Sequence, residues 1–162
     1  MSVLDIIRAS GGDDVEIPTL ELTCPAWADS LFICGGFFDE IFTLEDGRTV
    51  TFTATGLDVT LPKKSNEAGQ QLTVAIDNVL GIAQLRIDQA KEAQAVITLI
   101  YRSFLESDRS APAERPLRMS VLSASIEGPT VQFTGGYFDL INTAWPRRRY
   151  TAQFAPGIKY IT

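Results

Sequence analysis

Short runs in which apolar and polar residues alternate are the feature that most limits the folds open to this chain. Successive side chains of a strand point to opposite faces, so alternation with a period of two predicts half-buried β-strands. The clearest case is a hairpin, in which residues 42–44 and 48–53 flank Glu45-Asp46-Gly47. Asp-Gly supplies the positive φ angles that tight hairpin turns require. The same alternation predicts further strands at residues 16–24, 30–34, 57–61, 72–76, 95–105, 117–126 and 130–137.

One segment departs from this alternation. Residues 80–94 have the spacing of a helix, and Asp77-Asn78 before them offers a helix cap. We expect Ile82, Leu85 and Ile87 to pack on the sheet, because they form the apolar side of that helix. The segment therefore predicts one substantial helix inserted among the strands.

Many short strands and one inserted helix predict a mostly β chain with one main helix (β+α). Its architecture is expected to be an antiparallel β-barrel or sandwich with an inserted helix and extended terminal arms. The chain has 162 residues, which suits one domain with a sizeable core. We divide it into an N-terminal arm with a short helix at residues 1–14, a β-barrel-like domain at 15–141 with its helix at about 80–94, and a C-terminal arm at 142–162.

The composition argues against a catalytic or metal-binding chain. There is no histidine, which is the usual general base near neutral pH and the commonest metal ligand. Cys24 and Cys34 are too few for a four-ligand zinc or iron–sulfur site. We expect both cysteines to be buried apolar groups, and a disulfide between them is the alternative. No cofactor, no metal and no enzymatic activity are expected; a wall hydrolase is the weakest functional hypothesis.

Charge and hydropathy limit the kinds of partner that this chain can have. No apolar run approaches the roughly 20 residues that a membrane helix needs, so no membrane span is expected. The N-terminus lacks the pattern of a signal peptide, which favours synthesis in a cytoplasm. The net charge of −6 argues against direct nucleic-acid binding. Residues 1–108 have a net charge of −10 and residues 109–162 a net charge of +4, a separation that suits head-to-tail contacts between copies.

The candidate interface residues lie in the C-terminal arm and in two acidic turns. Three consecutive arginines, Arg147, Arg148 and Arg149, stand beside aromatic residues and can form bidentate bonds to carboxylates. We expect their acceptors to be Asp39-Glu40 or Glu45-Asp46 of an adjacent copy. The buried aromatic anchors are expected to be Trp145, Tyr150 and Phe154. An exposed basic loop is the alternative for the arginine run.

A second function is also open. Phe37-Phe38, after Gly35-Gly36, is the candidate for an exposed aromatic platform. Such a platform would indicate a receptor- or carbohydrate-binding module, since an exposed apolar patch needs a partner. Buried aromatic pairs are commoner, so we expect this pair to be buried.

Several motifs, taken in order, resemble a known family. They are the strand TLELTCP, the hairpin LEDGRTVTFTATGLDVTLP, the runs LTVAIDNV and ITLIYRSFLESD, and the ending GGYFDLINTAWPRRRYTAQFAPGI. Together they resemble a siphophage tail-tip (minor tail) protein family whose genes follow the tape-measure gene. The order of elements is also similar to the β-barrel hub domains of siphophage tail tips. Hub proteins often carry cysteine clusters or peptidoglycan hydrolase domains, and this sequence has the motifs of neither.

The resemblance implies a structural part of the virion. It implies a component of the hub or distal ring of the tail tip or baseplate, assembled in the bacterial host cytoplasm. The implied partners are other tail-tip proteins: hub, distal tail or tape-measure proteins. It also implies a homo-oligomer, and the likeness to hubs favours a trimer over a hexamer.

Overall fold

The computed structural model describes residues 14–61, 71–77 and 81–137. The arm predicted at residues 142–162 and the short helix predicted near the N-terminus lie outside these residues. The described elements are β1 (Glu16–Thr23), β2 (Leu31–Gly35), β3 (Glu40–Thr43), β4 (Thr49–Thr55), β5 (Leu57–Thr60), β6 (Gln71–Asp77), α1 (Ile82–Glu92), β7 (Thr98–Leu105), β8 (Leu117–Glu127) and β9 (Thr130–Gly136). The described part is mostly β, with 54% of it in strands and a single helix, which confirms the predicted fold class.

The nine strands of the described residues belong to one sheet, in the order β3-β4-β2-β1-β7-β8-β9-β6-β5. The hairpin predicted around Asp46-Gly47 is present: β3 pairs antiparallel with β4, and Gly47 has a φ of 81°. The expectation of a wholly antiparallel sheet is wrong, because β2 and β4 run parallel, with Ile33 opposite Thr53. β3 lies on the outer side of β4 and not between β2 and β4. Because β3 and β4 form an antiparallel hairpin, β4 runs in the same direction as β2. The sheet is therefore mixed.

The barrel alternative is also wrong, since the sheet is not closed by hydrogen bonds between its end strands. In the strand order, β4 lies near one end and β5 at the other, yet a single residue, Gly56, connects them. The sheet is therefore strongly curved. The Asp77 N–H donates to the Gly56 carbonyl over 3.0 Å, and the Thr55 hydroxyl donates to the Asp77 carbonyl over 3.3 Å. A side chain at position 56 would place its Cβ 3.3 Å from Asp77 Oδ2. Glycine therefore allows the close approach that makes the sheet sandwich-like.

Two apolar clusters fill the body. The larger one lies between α1 and strands from across the sheet, with Leu20, Leu72, Val74 and Leu99 fully buried. Trp27 also belongs to this cluster, and its Nε1 donates a hydrogen bond to the Arg86 carbonyl of α1 over 2.9 Å. The smaller cluster is aromatic and contains Phe42, Phe52 and Phe104 with Ile17, Cys34 and Leu44.

The prediction for the buried face of α1 is confirmed at Ile87 and wrong at Ile82 and Leu85. Ala83, Ile87 and Ala90 face the sheet, at spacings of four and three residues, while Ile82 is 44% and Leu85 59% exposed. The predicted cap is also wrong: Asp77 is the last residue of β6, and Gly81 precedes the helix with a φ of 67° and no side-chain cap. The two small alanines let the helix lie close to the sheet, and the larger side chains are left toward solvent.

Cys24 and Cys34 are both buried and free, which confirms the prediction over the disulfide alternative. The Cys34 thiol lies 3.7 Å from the Phe52 carbonyl, and burial raises its pKa. No helix within the described ranges is long and apolar enough to cross a membrane.

Candidate functional site

A buried cation sits at the centre of the sheet. Arg102 of β7 is opposite Thr19 of β1, and 2% of its surface is exposed. Its Nη1 donates to Glu21 Oε2 over 2.7 Å, its Nε to Glu45 Oε2 over 2.7 Å and its Nη2 to Glu45 Oε1 over 3.0 Å. The paired bonds to Glu45 have the strong bidentate geometry of guanidinium with carboxylate. This cluster ties β1 and β7 to the turn between β3 and β4.

The cluster is held in its charged state. Hydrogen bonding from Arg102 lowers the pKa of Glu45 from 4.5 to about 2. Burial disfavours the charged form of Arg102, but the hydrogen bonds of Glu45 and Glu21 outweigh it and raise the pKa of the guanidinium above its ordinary value. Arg118 adds a longer contact to Glu45, 3.4 Å from Nη2 to Oε1. Because the pKa of Glu45 lies far below 7, its carboxylate stays ionised near neutral pH.

The lowered pKa of Glu45 predicts an acid-sensitive stability. Because its folded-state pKa lies below the unfolded value, its contribution is complete above pH about 4.5 and is lost as the pH falls toward about 2. We expect Glu45→Gln to reduce the pH-dependent change in the free energy of unfolding by roughly 1–2 kcal/mol. This value is smaller than the full pKa shift implies, because the Glu45 side chain is 33% exposed and solvent screens its charge. Urea unfolding measured across this pH range tests it. Glu127→Gln, at the exposed end of β8, is the matched control. Parallel stability curves for wild type and Glu45→Gln would contradict the prediction.

The four carboxylates predicted to accept arginines from another copy all have partners in their own chain; they are Asp39, Glu40, Glu45 and Asp46. Glu45 belongs to the cluster around Arg102, so an arginine from a neighbour would compete with a bidentate bond. Asp46 pairs with Arg48 across the exposed turn, and hydrogen bonds from the Arg48 backbone and side chain lower its pKa.

Asp39 and Glu40 differ in their pairing. Asp39 Oδ1 accepts a hydrogen bond from the Ala54 backbone N–H over 2.8 Å. Glu40 Oε2 lies 3.2 Å from Arg109 Nη2, close enough for an ion pair, although the two groups are not aligned as a hydrogen bond. Of the four carboxylates, Asp39 alone has no cation as a partner among the described residues.

The remaining predicted interface residues lie outside the described residues; they are Trp145, Arg147, Arg148, Arg149, Tyr150 and Phe154. Within the ranges that the structure describes, no group of three or more cysteine, aspartate and glutamate side chains could hold a metal ion.

The loop between β2 and β3 presents apolar side chains to solvent. Phe37 is 96% and Phe38 80% exposed, and Ile41 at the start of the edge strand β3 is 57% exposed. The expectation that the Phe37-Phe38 pair is buried is therefore wrong. Gly35 cannot easily carry a side chain, because a Cβ there would lie 2.9 Å from Pro18 Cγ. With Gly36 it carries the chain from the packed end of β2 into this exposed loop.

An apolar cavity of about 420 Å³ lies where the curved sheet meets the start of α1. Its apolar lining is Leu31, Ile33, Ala54, Ile76, Ile82 and Ala83, and Asp77 contributes a carboxylate. No lysine or arginine is among the described residues that line it. Its size falls within the range of 300–1,000 Å³ that is typical of ligand pockets.

Comparison with known proteins places the chain in a family. A family model described as a domain of unknown function, DUF1833, matches residues 2–150. The chain belongs to the DUF1833 family. No curated protein matches it. The matched part of this DUF1833 chain includes the described body and ends at Tyr150, after the three arginines.

Sequence reasoning missed two features of this DUF1833 chain. Glu21 and Arg102 each occupy a polar position in an alternating strand, which predicts a solvated face, yet both are buried against each other. Their opposite charges are a signal for pairing, but the register that aligns β1 with β7 cannot be read from either strand alone. The cavity was missed because it depends on the bend at Gly56.

Proposed function

We propose that this chain is a structural subunit of a siphophage tail tip or baseplate, forming part of the hub or distal ring through subunit contacts. In this proposal it is a virion protein assembled in the host cytoplasm, present as a homo-oligomer, with a trimer favoured over a hexamer. Its partners are other tail-tip proteins. It has no catalytic step, so the purified chain is expected not to hydrolyse peptidoglycan.

The observation that carries the proposal is the exposure of large apolar side chains in two separate groups. Phe37, Phe38 and Ile41 form the first group, in the loop before β3 and at its start. Val96 and Leu122 form the second, beside a groove between the end of α1 and β8, and they are 61% and 59% exposed. Contiguous exposed apolar surface marks contact with other proteins. Two such groups suit a subunit with more than one neighbour, and the motif resemblance supplies the tail-tip context.

Proteomic analysis and immunogold labelling of purified phage particles test this proposal. We expect the chain in the particles, with the label at the distal end of the tail and three copies of the chain in each tail. Its absence from particles that contain other tail-tip proteins would rule the proposal out. A copy number of six would keep the structural role and replace the trimer by a distal ring.

The second candidate is a receptor- or carbohydrate-binding module at the tail tip, with the exposed Phe37-Phe38 pair as its platform. Aromatic rings presented to solvent on a loop are suited to packing on a partner's apolar surface. This alternative predicts that the purified chain binds host cells and that Phe37→Ser with Phe38→Ser abolishes binding.

The stability of the double variant separates a binding defect from a folding defect. Because both rings are exposed, we expect the free energy of unfolding to change by no more than about 0.5 kcal/mol for each substitution. Val96→Ser, at another exposed apolar position, is the control and should leave cell binding unchanged. Wild-type protein that does not bind host cells would exclude the receptor-binding alternative.

A further inference from the structure

The cavity at Gly56 combines apolar walls with one lining carboxylate and a second carboxylate that is bonded to a lining residue. Asp77 lines it, and Asp39 is joined to it through the bond to the backbone of Ala54, another lining residue. Neither carboxylate forms an ion pair with a cation of the described ranges. Exposed Ile82 stands at its edge. An aromatic side chain flanked by cations is the chemical complement of such a site, since its ring can enter the apolar space while the cations meet the carboxylates.

The sequence of the same chain contains that complement. The described residues carry 7 basic and 16 acidic side chains, a net charge of −9, whereas residues 138–162 carry 4 basic and 1 acidic, a net charge of +3. Residues 145–150 read Trp-Pro-Arg-Arg-Arg-Tyr, with an aromatic residue on each side of the three arginines. Aromatic residues and arginine are the types that dominate interface energies.

The cavity lies at one end of β6 and β9, and the last described residues of the chain lie at the other end. These strands are antiparallel, with Asp77 opposite Thr130 and Gln71 opposite Gly136. The cavity is at the Asp77 end, while β9 ends at Gly136, which is about 20 Å away at roughly 3.3 Å per residue. The described chain ends beside Gly136 at one end of the subunit, and the cavity lies at the other end. Such a separation suits a head-to-tail interface, the kind that closes into rings.

We propose that the cavity at Gly56 receives residues 145–150 of a second copy, with Trp145 or Tyr150 in the apolar space and the arginines bonded to Asp39 and Asp77. This inference rests on the proposed assembly role and specifies the surface through which the copies join. Of the acceptors predicted from the sequence it keeps Asp39, and it replaces the Glu45-Asp46 turn, where Arg102 and Arg48 are already bound, by Asp77.

Photo-cross-linking of the full chain tests this contact. The photoreactive residue benzoyl-phenylalanine replaces Ile82 at the cavity edge, or Leu85 as the matched control. Both side chains are exposed on α1, but Leu85 does not line the cavity. Isotopically light and heavy chains are mixed before irradiation, so that mass spectrometry separates adducts between copies from adducts within one copy.

We expect the probe at position 82 to form adducts between light and heavy chains at residues 145–150, and the probe at position 85 to form none there. Changing Arg147, Arg148 and Arg149 to Glu should remove the adduct at position 82. Adducts only within one copy, equal adducts from both probes, or none at residues 145–150 would overturn the inference. Because the assay does not involve particles, any of these results can be obtained while the chain is still found in the tail tip.

Discussion

Replacing Arg102 by methionine is expected to lower the free energy of unfolding by about 3–5 kcal/mol, because it leaves the carboxylate of Glu21 buried without its cation. The Glu21 side chain is 6% exposed and lies 2.7 Å from Arg102 Nη1. Methionine has a similar length and keeps much of the apolar packing, so the loss reports mainly on the missing charge. Urea unfolding of the full chain at neutral pH measures it.

Two further variants show whether the charge is responsible. Arg102→Met with Glu21→Met removes both members of the buried pair, so the part of the loss that comes from the unpaired Glu21 carboxylate should return, while the bond to Glu45 stays lost. Arg48→Met breaks the exposed pair with Asp46 and should cost far less stability than Arg102→Met, because solvent screens exposed ion pairs. If Arg102→Met cost no more than Arg48→Met, the buried ion cluster would not be a principal support of the sheet.

The second large effect is expected from reversing the charge of the arginine run. Changing Arg147, Arg148 and Arg149 to Glu should leave the isolated chain folded and abolish tail formation, because the segment would then repel the acidic body of a neighbouring copy. The described residues, with a net charge of −9, supply that repulsion. Circular dichroism and urea unfolding of the purified variant, together with electron microscopy of lysates from phage that carry it, measure the two parts of this prediction.

The matched control changes the same three residues to Lys. It keeps the charge and removes the planar fork of the guanidinium, so tails should form with reduced yield. Intact, infective particles from the Glu variant would contradict the assembly role of this segment. A Glu variant that does not fold would contradict the assignment of the arginines to an interface.

The fold class was predictable because it depends on local patterns. Alternation places the strands, and Asp46-Gly47 fixes the turn between β3 and β4, where Phe42 pairs with Val50. Neither pattern shows whether two strands that are distant in sequence pair in a parallel or an antiparallel direction. The parallel pairing of β2 with β4 therefore could not be read from the sequence, and the curvature at Gly56 depends on it.

The helix and the ion cluster show a second limit. Ile82 and Leu85 are more hydrophobic than Ala83 and Ala90, yet the two alanines face the sheet, because close packing of a helix on a curved surface favours small side chains. Likewise, polar character alone predicts that Glu21 and Arg102 are solvated. Their burial follows from the alignment of β1 with β7 and from the position of Glu45 in a turn that is distant in sequence.

Cross-linking mass spectrometry of purified tails tests most directly whether the C-terminal segment joins this subunit to its neighbours. Lys159 provides an amine for the reagent within residues 142–162, and tails assembled from isotopically light and heavy chains distinguish links between copies from links within one copy. The assembly account predicts links from this segment to other copies or to other tail-tip proteins. Links from Lys159 only to residues of its own chain would contradict it.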